Sequence, residues 1–195
     1  MNTPFHYSCY FSWFVDKALS NMRKHGIAFE DAMEVFADPL AANRPESGRP
    51  MEEERWLVLG LSRNGTLVVV VHVYEELEDH AHVRIIAARK ATHRERLEYE
   101  TGISLVREPS LAGEYSMNIR DEEGLCDEYD FSNAVRGKYY RPNMAVSFPI
   151  YLDDDVLAHF RSLARSRGVE TRELLNEILR GQMPAEEGVG AAGKG

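Results

Sequence analysis

Two stretches of regular hydrophobic periodicity, separated by a long acidic and irregular segment, constrain this fold more than any other feature of the sequence. The first stretch covers residues 5–102 and the second covers 144–182. Residues 103–143 lose the periodicity and carry six acids between Asp121 and Asp130. The sequence therefore predicts two modules, an acidic linker over 103–143 between them, and a disordered tail over 183–195.

The composition is that of an ordinary globular protein, with 44% hydrophobic and 28% charged residues. The net charge of −9 excludes a globally basic protein, so any contact with nucleic acid must come from a local patch. Cys9 and Cys126 lie far apart, in no metal or redox spacing, which favours a cytoplasmic protein without disulfides. No signal peptide and no membrane span are expected, because every apolar run is short.

The first module reads as α-α-β-β-β-α. One helix ends at Gly26, a second ends before Pro39, and a polar loop over 41–54 follows. Strands are predicted over 55–62, 66–75 and 82–90, with a hairpin turn at Asn64–Gly65 between the first two. Thr92 caps the last helix, with Glu95 completing a capping box. This order predicts an α+β fold with a largely antiparallel sheet and helices against one face.

The second module reads as one strand over 146–152 and two helices, capped by Asp153 and Thr171. Such a unit is too small to keep a core of its own, which predicts a homodimer with a paired strand. DNA-binding ribbon-helix-helix dimers use this order and insert the outward strand residues into the major groove. Those residues here are Ser147, Pro149 and Tyr151, and none of them makes the strong base-edge contacts of Arg, Lys, Asn or Gln.

A cation-rich segment ends the first module. Its cations are Arg84, Arg89, Lys90, His93, Arg94 and Arg96. Guanidinium groups that converge on one side of the sheet suit phosphate, because their planar fork of donors carries a permanent charge. The alternative is that these cations pair with Glu95, Glu98 and Glu100 on a solvated helix face.

Histidines offer further candidates. Lys24 and His25 end a helix, where they either complement the helix dipole or place a proton-transfer group beside the arginines. His72 fits a core histidine better than a cleft residue. His80 and His82 with Asp79 have a spacing that a metal accepts, but no third ligand cluster accompanies them, so no metal site is predicted.

Four segments of the first module together resemble the BrnT family of ribonuclease toxins. These are FSWFVDKALSN, RKHGIAFEDAMEVFADP, ERWLVLGLS and VRIIAARKATHRERLEYE, and the resemblance covers residues 11–100. It implies a RelE-like fold and an endoribonuclease that needs neither a metal nor another cofactor. The motif positions that carry over are Lys24, His25, Glu54, Arg55, Arg84, Arg89, Arg94 and Tyr99. Phe14 and Lys90 depart from the family pattern.

Residues 128–182, beginning EYDFSNAVRGKYYRPN, resemble the BrnA-like, ribbon-helix-helix antitoxins of such systems. The resemblance implies a toxin–antitoxin fusion in which the acidic stretch 121–130 covers the arginines in cis. His25, Arg89 and Arg94 are then the catalytic candidates. The candidates for RNA binding are Lys24, Arg84, Tyr99, Glu54 and Arg55, and those for DNA binding are Ser147, Pro149 and Tyr151.

The expected partners are RNA as substrate, operator DNA and a second copy of the chain, with no membrane. The alternative function is a DNA-binding transcriptional autoregulator without nuclease activity. A fusion with neither activity also remains open.

Overall fold

A seven-stranded mixed sheet forms the centre of the first part of the chain, with the strand order β6-β2-β3-β4-β5-β1-β7. The computed structural model describes residues 7–46, 53–102, 121 and 124–183. Its chain divides into two compact units, Met1–Pro149 and Ile150–Gly195. The strands are β1 (Ser8–Ser12), β2 (Ala42–Pro45), β3 (Arg55–Leu61), β4 (Leu67–Glu76), β5 (His80–Lys90), β6 (Val135–Arg136) and β7 (Ala145–Ser147).

The α+β class is confirmed, but the sheet is mixed where an antiparallel one was expected. The three predicted strands form the antiparallel centre β3-β4-β5, and Gly65 closes the predicted turn with a φ of 80°. β1 instead pairs in parallel with both β5 and β7. The direction of such pairing depends on long-range contacts, which a five-residue strand does not encode locally.

The segment 41–54 was predicted to be a loop, and this is wrong for Ala42–Pro45. These four residues form β2 and pair with β3. The sequence signal was masked because the strand is short and includes Asn43 and Pro45, two residue types that are rare in strands. Pro45 is tolerated at the end of the strand. Residues 47–52 lie outside the described residues.

Helices cover the first face of the sheet. They are α1 (Val15–His25), α2 (Phe29–Met33) and a 3-10 helix (Glu34–Ala37). The second predicted helix thus changes from α to 3-10 geometry before it ends. The core beneath is almost wholly apolar and includes Phe11, Phe29, Val58, Val70 and Val83. Burial of these side chains stabilises this face, at roughly 25 cal/mol per Å² of apolar surface removed from water.

The second face is covered by α3 (His93–Thr101) and by residues from the predicted acidic linker. Four linker side chains pack onto the sheet here: Leu125, Cys126, Tyr129 and Phe131. Helices therefore lie on both faces and not on one as expected. We call Asp121 together with residues 124–147 the strap, because this segment also supplies the buried Tyr139 to the core of the first face.

The strap extends both edges of the sheet. Its strand β6 pairs antiparallel with β2 at one edge, and its strand β7 pairs in parallel with β1 at the other. The strand predicted over 146–152 is reduced to Ala145–Ser147, and its partner is β1 of the same chain. A ribbon-helix-helix arrangement is thus not observed, since the hydrogen bonds expected from a second copy are made within the chain.

The second unit contains two helices, α4 (Asp154–Arg167) and α5 (Thr171–Gly181), with Gly168 at a φ of 66° after α4. Both predicted helices are present. Asp153 is the N-cap of α4 as predicted, although its side chain makes no capping hydrogen bond, but the N-cap of α5 is Glu170 and not Thr171. Among its described residues, only Ala164 and Leu174 are buried. Among the helices of the described ranges, none combines the length and the apolar character that a membrane span requires. The predicted tail beyond Met183 lies outside the described residues.

Candidate active site

Arg84 and Arg89 point to the same face of the sheet, the second face. They are five residues apart, and strict alternation would place them on opposite faces. β5 carries a bulge next to the point where it faces Val71 and His72, so Arg84 pairs with Val73 and Arg89 with Val69. The bulge adds one residue and brings the two guanidinium groups to one side. Arg44 and Arg55 share this face through their registers on β2 and β3.

Arg89 is the most enclosed of these cations, with 9% of its surface exposed. Its guanidinium nitrogens donate to both carboxylate oxygens of Glu95, at 2.7 and 2.8 Å. Its Nε donates to the carbonyl oxygen of Cys126 at 2.9 Å, and its Cζ lies 5.3 Å from the ring centroid of Tyr129. Burial alone would lower the pKa of Arg89, but the pair with Glu95 outweighs it and raises that pKa.

Arg94 sits on the first turn of α3, where the predicted capping box of Thr92 and Glu95 is confirmed. Its Nε lies 3.2 Å from an oxygen of Glu98, and its Nη1 lies 3.7 Å from an oxygen of Glu128 in the strap. Glu128 also accepts a hydrogen bond from the Thr92 hydroxyl at 3.0 Å. Arg94 is therefore bridged between its own helix and the strap.

His25 reaches the strap from the end of α1. Its Nε2 lies 3.0 Å from Oδ2 of Asp121, and Lys24 beside it is exposed. Asn21 fixes the helix to the sheet, because its side-chain oxygen accepts the backbone N–H of Ala88 at 2.8 Å. Gly26 ends α1 at a φ of 65°, as the sequence predicted. His25 is thus positioned beside the strap by a buried polar contact.

Tyr99 lies at the far end of α3. Its hydroxyl donates to Oδ2 of Asp38 at 2.8 Å, and Cζ of Arg136 lies 5.2 Å from its ring centroid. Burial, and then the neighbouring Asp38 carboxylate, raise the pKa of Tyr99. Arg136 also donates to the carbonyl oxygens of Glu98 and Tyr99, so the strap binds the C-terminal end of the helix as well.

The remaining candidates of the first module lie beyond this group. Arg84 pairs with Glu53, and that guanidinium lowers the pKa of the Glu53 carboxyl. Arg55 faces Val73, which in turn faces Arg84, so the two arginines share one row across three strands. Glu54 is exposed at the start of β3. This row is a second part of the arginine face, next to the part covered by the strap.

The three DNA-contact candidates do not share a strand. Ser147 pairs with Tyr10 at the end of β7, and Pro149 is the last residue of the first unit. Tyr151 is exposed and belongs to the second unit.

For metals, the described residues include no group of three or more His, Cys, Asp or Glu arranged to hold an ion. His80 instead contacts Asp79, with its Nδ1 at 2.6 Å from Oδ1.

Sequence reasoning missed the residues that hold the arginines. The alternative prediction was that the cations pair with glutamates on a solvated face of α3. Glu95 and Glu98 do pair with arginines, but they are only 0% and 3% exposed, so this face is buried and not solvated. Each accepts a backbone N–H from the strap, from Tyr129 at 2.8 Å and from Phe131 at 2.9 Å. The alternation of acids and aromatics in DEYDF was the available signal, because an exposed linker has no need for two large aromatic side chains.

Comparison with known proteins agrees with the resemblance in the first module. Residues 13–95 match the family model described as ribonuclease toxin, BrnT, of type II toxin-antitoxin system. Among solved structures, the Brucella abortus ribonuclease toxin BrnT is 16% identical and matches with a TM-score of 0.31, over 44% of this chain and 100% of that one. No curated protein matches. The expected antitoxin likeness of residues 128–182 finds no support in these matches. Residues 13–95 therefore carry a BrnT ribonuclease toxin family domain.

Proposed function

We propose that this chain is a toxin–antitoxin fusion: a metal-independent endoribonuclease restrained in cis by its strap. One observation carries the proposal: oxygen atoms of the strap contact the same side chains that would act on a phosphodiester. Asp121 contacts His25, Glu128 contacts Arg94, and the Cys126 carbonyl contacts Arg89. An oxyanion of RNA needs the same donors, so strap and RNA exclude each other. The proposed place of action is the cytoplasm, where RNA substrates are found.

The proposed reaction is transfer of a phosphoryl group within the RNA. The ribose 2′-oxygen forms a bond to the adjacent phosphorus, and the bond from phosphorus to the 5′-oxygen breaks. His25 accepts the proton of the 2′-hydroxyl at Nε2, and water supplies a proton to the departing 5′-oxygen. The products are a 2′,3′-cyclic phosphate and a 5′-hydroxyl. DNA has no 2′-hydroxyl and is not cut.

The arginines supply electrostatic stabilisation in this proposal. Arg94 is 23% exposed and neutralises charge that develops on the phosphoryl oxygens. Arg89 acts on the same charge, with its direction fixed by Glu95. Lys24, Arg55 and Arg84 hold the RNA backbone on either side. Tyr99 stacks on a base, and Glu54 at the end of the row limits how far the RNA extends.

Restraint in cis requires only weak contacts. A tethered segment meets its site at an effective concentration on the order of millimolar, so millimolar affinity is enough to keep it bound. The contacts of Asp121 with His25 and of Glu128 with Arg94 are partly exposed, and even an ion pair in such a position contributes only about 0–1 kcal/mol. The buried aromatic side chains of the strap therefore supply most of its binding free energy.

The test uses the full chain with a loosened strap. Cutting the chain at residue 102 would uncover the apolar face beneath Leu125, Tyr129 and Phe131 and would cause aggregation. Phe131→Ala removes one anchor and leaves every candidate catalytic residue intact. We expect this variant to cut RNA faster than the unaltered chain and to leave a DNA of the same sequence intact.

The double variant Phe131→Ala with His25→Ala serves as the control and should be inactive. If the loosened chain leaves RNA uncut and does not slow bacterial growth, the proposal is wrong.

A second candidate function, DNA binding by an autoregulator, has one observation in its favour. In the second unit, Arg161, Arg165 and Arg172 line one cavity. Guanidinium groups in such a position suit DNA phosphates, and Tyr151 of the same unit would then add a contact near the bases. A gel shift with upstream DNA distinguishes this function from RNA cleavage, because Arg165→Ala should abolish the shift and leave cleavage unchanged.

Self-association is also proposed for the second unit. Its hairpin of helices leaves large apolar side chains exposed, among them Val156, Val169 and Leu179. A second copy of this unit has the same apolar surface and would bury it in a symmetric contact. Sedimentation equilibrium tests this: the chain should be a dimer, and Leu179→Glu should give a monomer. A monomeric parent chain at micromolar concentration would contradict it.

A further inference from the structure

Successive oxygens of the strap contact four side chains of the first unit, in the order in which the strap runs. Asp121 meets His25 beside α1, the Cys126 carbonyl meets Arg89 on β5, and Glu128 meets Arg94. Further along the strap, the carbonyl oxygen of Asp130 accepts a hydrogen bond from Arg44. The path thus runs from the end of α1 to β2, the strand next to β6 at the sheet edge, and it crosses the strands and does not follow them.

The chemistry of this part of the strap is that of a polyanion. Residues 121–131 contain six acids and no Lys or Arg. The surroundings of the Asp130 carboxyl favour its charged form. Burial alone would raise its pKa, but the hydrogen bonds from Ser132 and the charges of Arg44 and Arg94 outweigh burial and lower the pKa. The strap places oxygen atoms at intervals opposite these cations. An RNA backbone places its phosphate oxygens at intervals too, so it needs the same cationic partners.

Arg44 is unexpected where it stands. Its register opposite Leu57 places it on the second face, and its neighbours on that face include the buried Ala42, Leu57 and Leu59. A cation among apolar side chains costs stability unless a partner compensates it. Arg44 donates to the carbonyl oxygens of Pro45 and Asp130, and the Asp130 oxygen belongs to the strap, so an RNA phosphate would take its place when the strap leaves.

We propose that Arg44 is an RNA-backbone contact, and that the released site binds RNA along the path that the strap occupies, from His25 past Arg94 to the edge at β2. This inference rests on the proposed function and deepens it. The substrate class is single-stranded RNA that lies across the sheet. Arg44 binds one of its phosphates several strands away from His25, at about 5 Å per strand.

The experiment measures RNA binding and RNA cleavage separately, in two full-length backgrounds. The first background neutralises the strap with Asp121→Asn, Glu128→Gln and Asp130→Asn, and the second carries Phe131→Ala. Hydrogen exchange at the amides of Tyr129 and Phe131 verifies that the strap has opened, because both amides are bonded to buried carboxylates in the closed form. Binding uses a single-stranded oligonucleotide with 2′-O-methyl groups, which keeps the phosphates and prevents cleavage.

Arg44→Ala is compared with Arg63→Ala in each background. Arg63 is 83% exposed and pairs with Glu34 of the 3-10 helix, which lies on the opposite face, so both variants remove one positive charge. We expect Arg44→Ala to lower the slope of log affinity against log salt by about 0.7, the value for one phosphate of a single strand. This corresponds to roughly a fivefold loss of affinity at 0.1 M salt relative to 1 M. Arg63→Ala should change neither quantity.

The outcomes separate the two proposals. If Arg44→Ala and Arg63→Ala give the same slope while ordinary RNA is cut, Arg44 is not an RNA contact and the proposed function stands. If the opened chain neither binds nor cuts RNA, both proposals are overturned. A loss confined to Arg44→Ala, in both backgrounds, supports the path.

Discussion

His72 lies edge-on against Tyr139, with 5.4 Å between the ring centroids, so a strap residue closes the cage around a histidine from the centre of the sheet. The Phe36 ring also lies edge-on to this imidazole, with 4.8 Å between the ring centroids, and Tyr74 stacks on Tyr139 at 4.0 Å. His72 is fully buried, and this burial lowers its pKa to about 3. Tyr139 thus attaches the strap to a buried site in which the charged form of His72 is disfavoured.

A dependence of stability on pH follows from this cage. The pKa of His72 falls from its ordinary value near 6.5 to about 3 on folding, so the unfolded chain binds the proton more readily. The stability contributed by neutral His72 is therefore complete above about pH 6.5 and is lost as the pH falls towards 3. At pH 5 the loss is at most about 2 kcal/mol. Urea unfolding at pH 7 and pH 5 measures it.

The control for this prediction is His72→Phe, which keeps an aromatic ring and removes the titration. The charged and polar groups around the cage include Glu54, Glu76, Lys138 and the phenols of Tyr74 and Tyr139. All of these remain in the variant. An equal loss of stability between pH 7 and pH 5 in both proteins would show that other histidines are responsible.

Glu95→Gln should be strongly destabilising. The Glu95 carboxylate accepts both hydrogen bonds of Arg89, the amide of Thr92 and the amide of Tyr129, and it is fully buried. Loss of its charge leaves Arg89 enclosed without compensation, which costs about 3–5 kcal/mol. Glu100→Gln is the matched control, since Glu100 pairs with Arg96 in solvent at 3.5 Å and contributes at most about 1 kcal/mol. Denaturant unfolding at pH 7 compares the two, and similar losses would contradict this account.

Gly137→Ala should loosen the strap at the β2 edge. Gly137 has a φ of 60°, and a Cβ there would stand 2.7 Å from the carbonyl oxygen of Pro39. Gly102 has a φ of 65° and no atom within 4 Å of such a Cβ. Gly102→Ala therefore measures the backbone strain, about 1–2 kcal/mol. The clash should add about 1–3 kcal/mol for Gly137→Ala, read as a lower free energy of unfolding. Equal effects of the two substitutions would mean that the turn shifts freely.

The two cysteines should report separately on the strap and the core. Cys126 is buried within the strap on the second face, while Cys9 is buried on the first face, where burial raises its pKa to about 12. In the Phe131→Ala variant, a thiol reagent should modify Cys126 faster than in the parent chain, and Cys9 should stay protected. Cys126→Ser in the same background identifies the reacting residue. Faster labelling of Cys9 would indicate general unfolding.

Local signals in the sequence were sufficient for the central elements. The turn at Asn64–Gly65, the capping box at Thr92 and the stop at Gly26 depend on neighbouring residues alone, and each is found where it was predicted. These determine β3, β4, α1 and α3. The resemblance to a toxin family over residues 11–100 was likewise matched over 13–95.

The rest depends on contacts that are distant along the chain. Strict alternation would put Arg84 and Arg89 on opposite faces, and only the bulge on β5 reverses this. The pairing of β6 and β7 with the sheet edges joins residues a hundred or so positions apart, such as Asn43 with Val135. No local pattern marks such a partner, so the acidic segment read as a linker although it packs on both faces.

The position of the strap in the chain has a consequence during translation. The toxin-like domain is synthesised before the strap. Until the strap follows, β1 and β2 are the edge strands of the sheet, because their outer neighbours β7 and β6 come after residue 102. At about 5–20 residues per second, synthesis up to Ser147 takes roughly another 2–9 s. For those seconds the face that the strap later covers is exposed in each newly made molecule. The cell is therefore exposed to the uncovered domain each time a copy of the chain is synthesised.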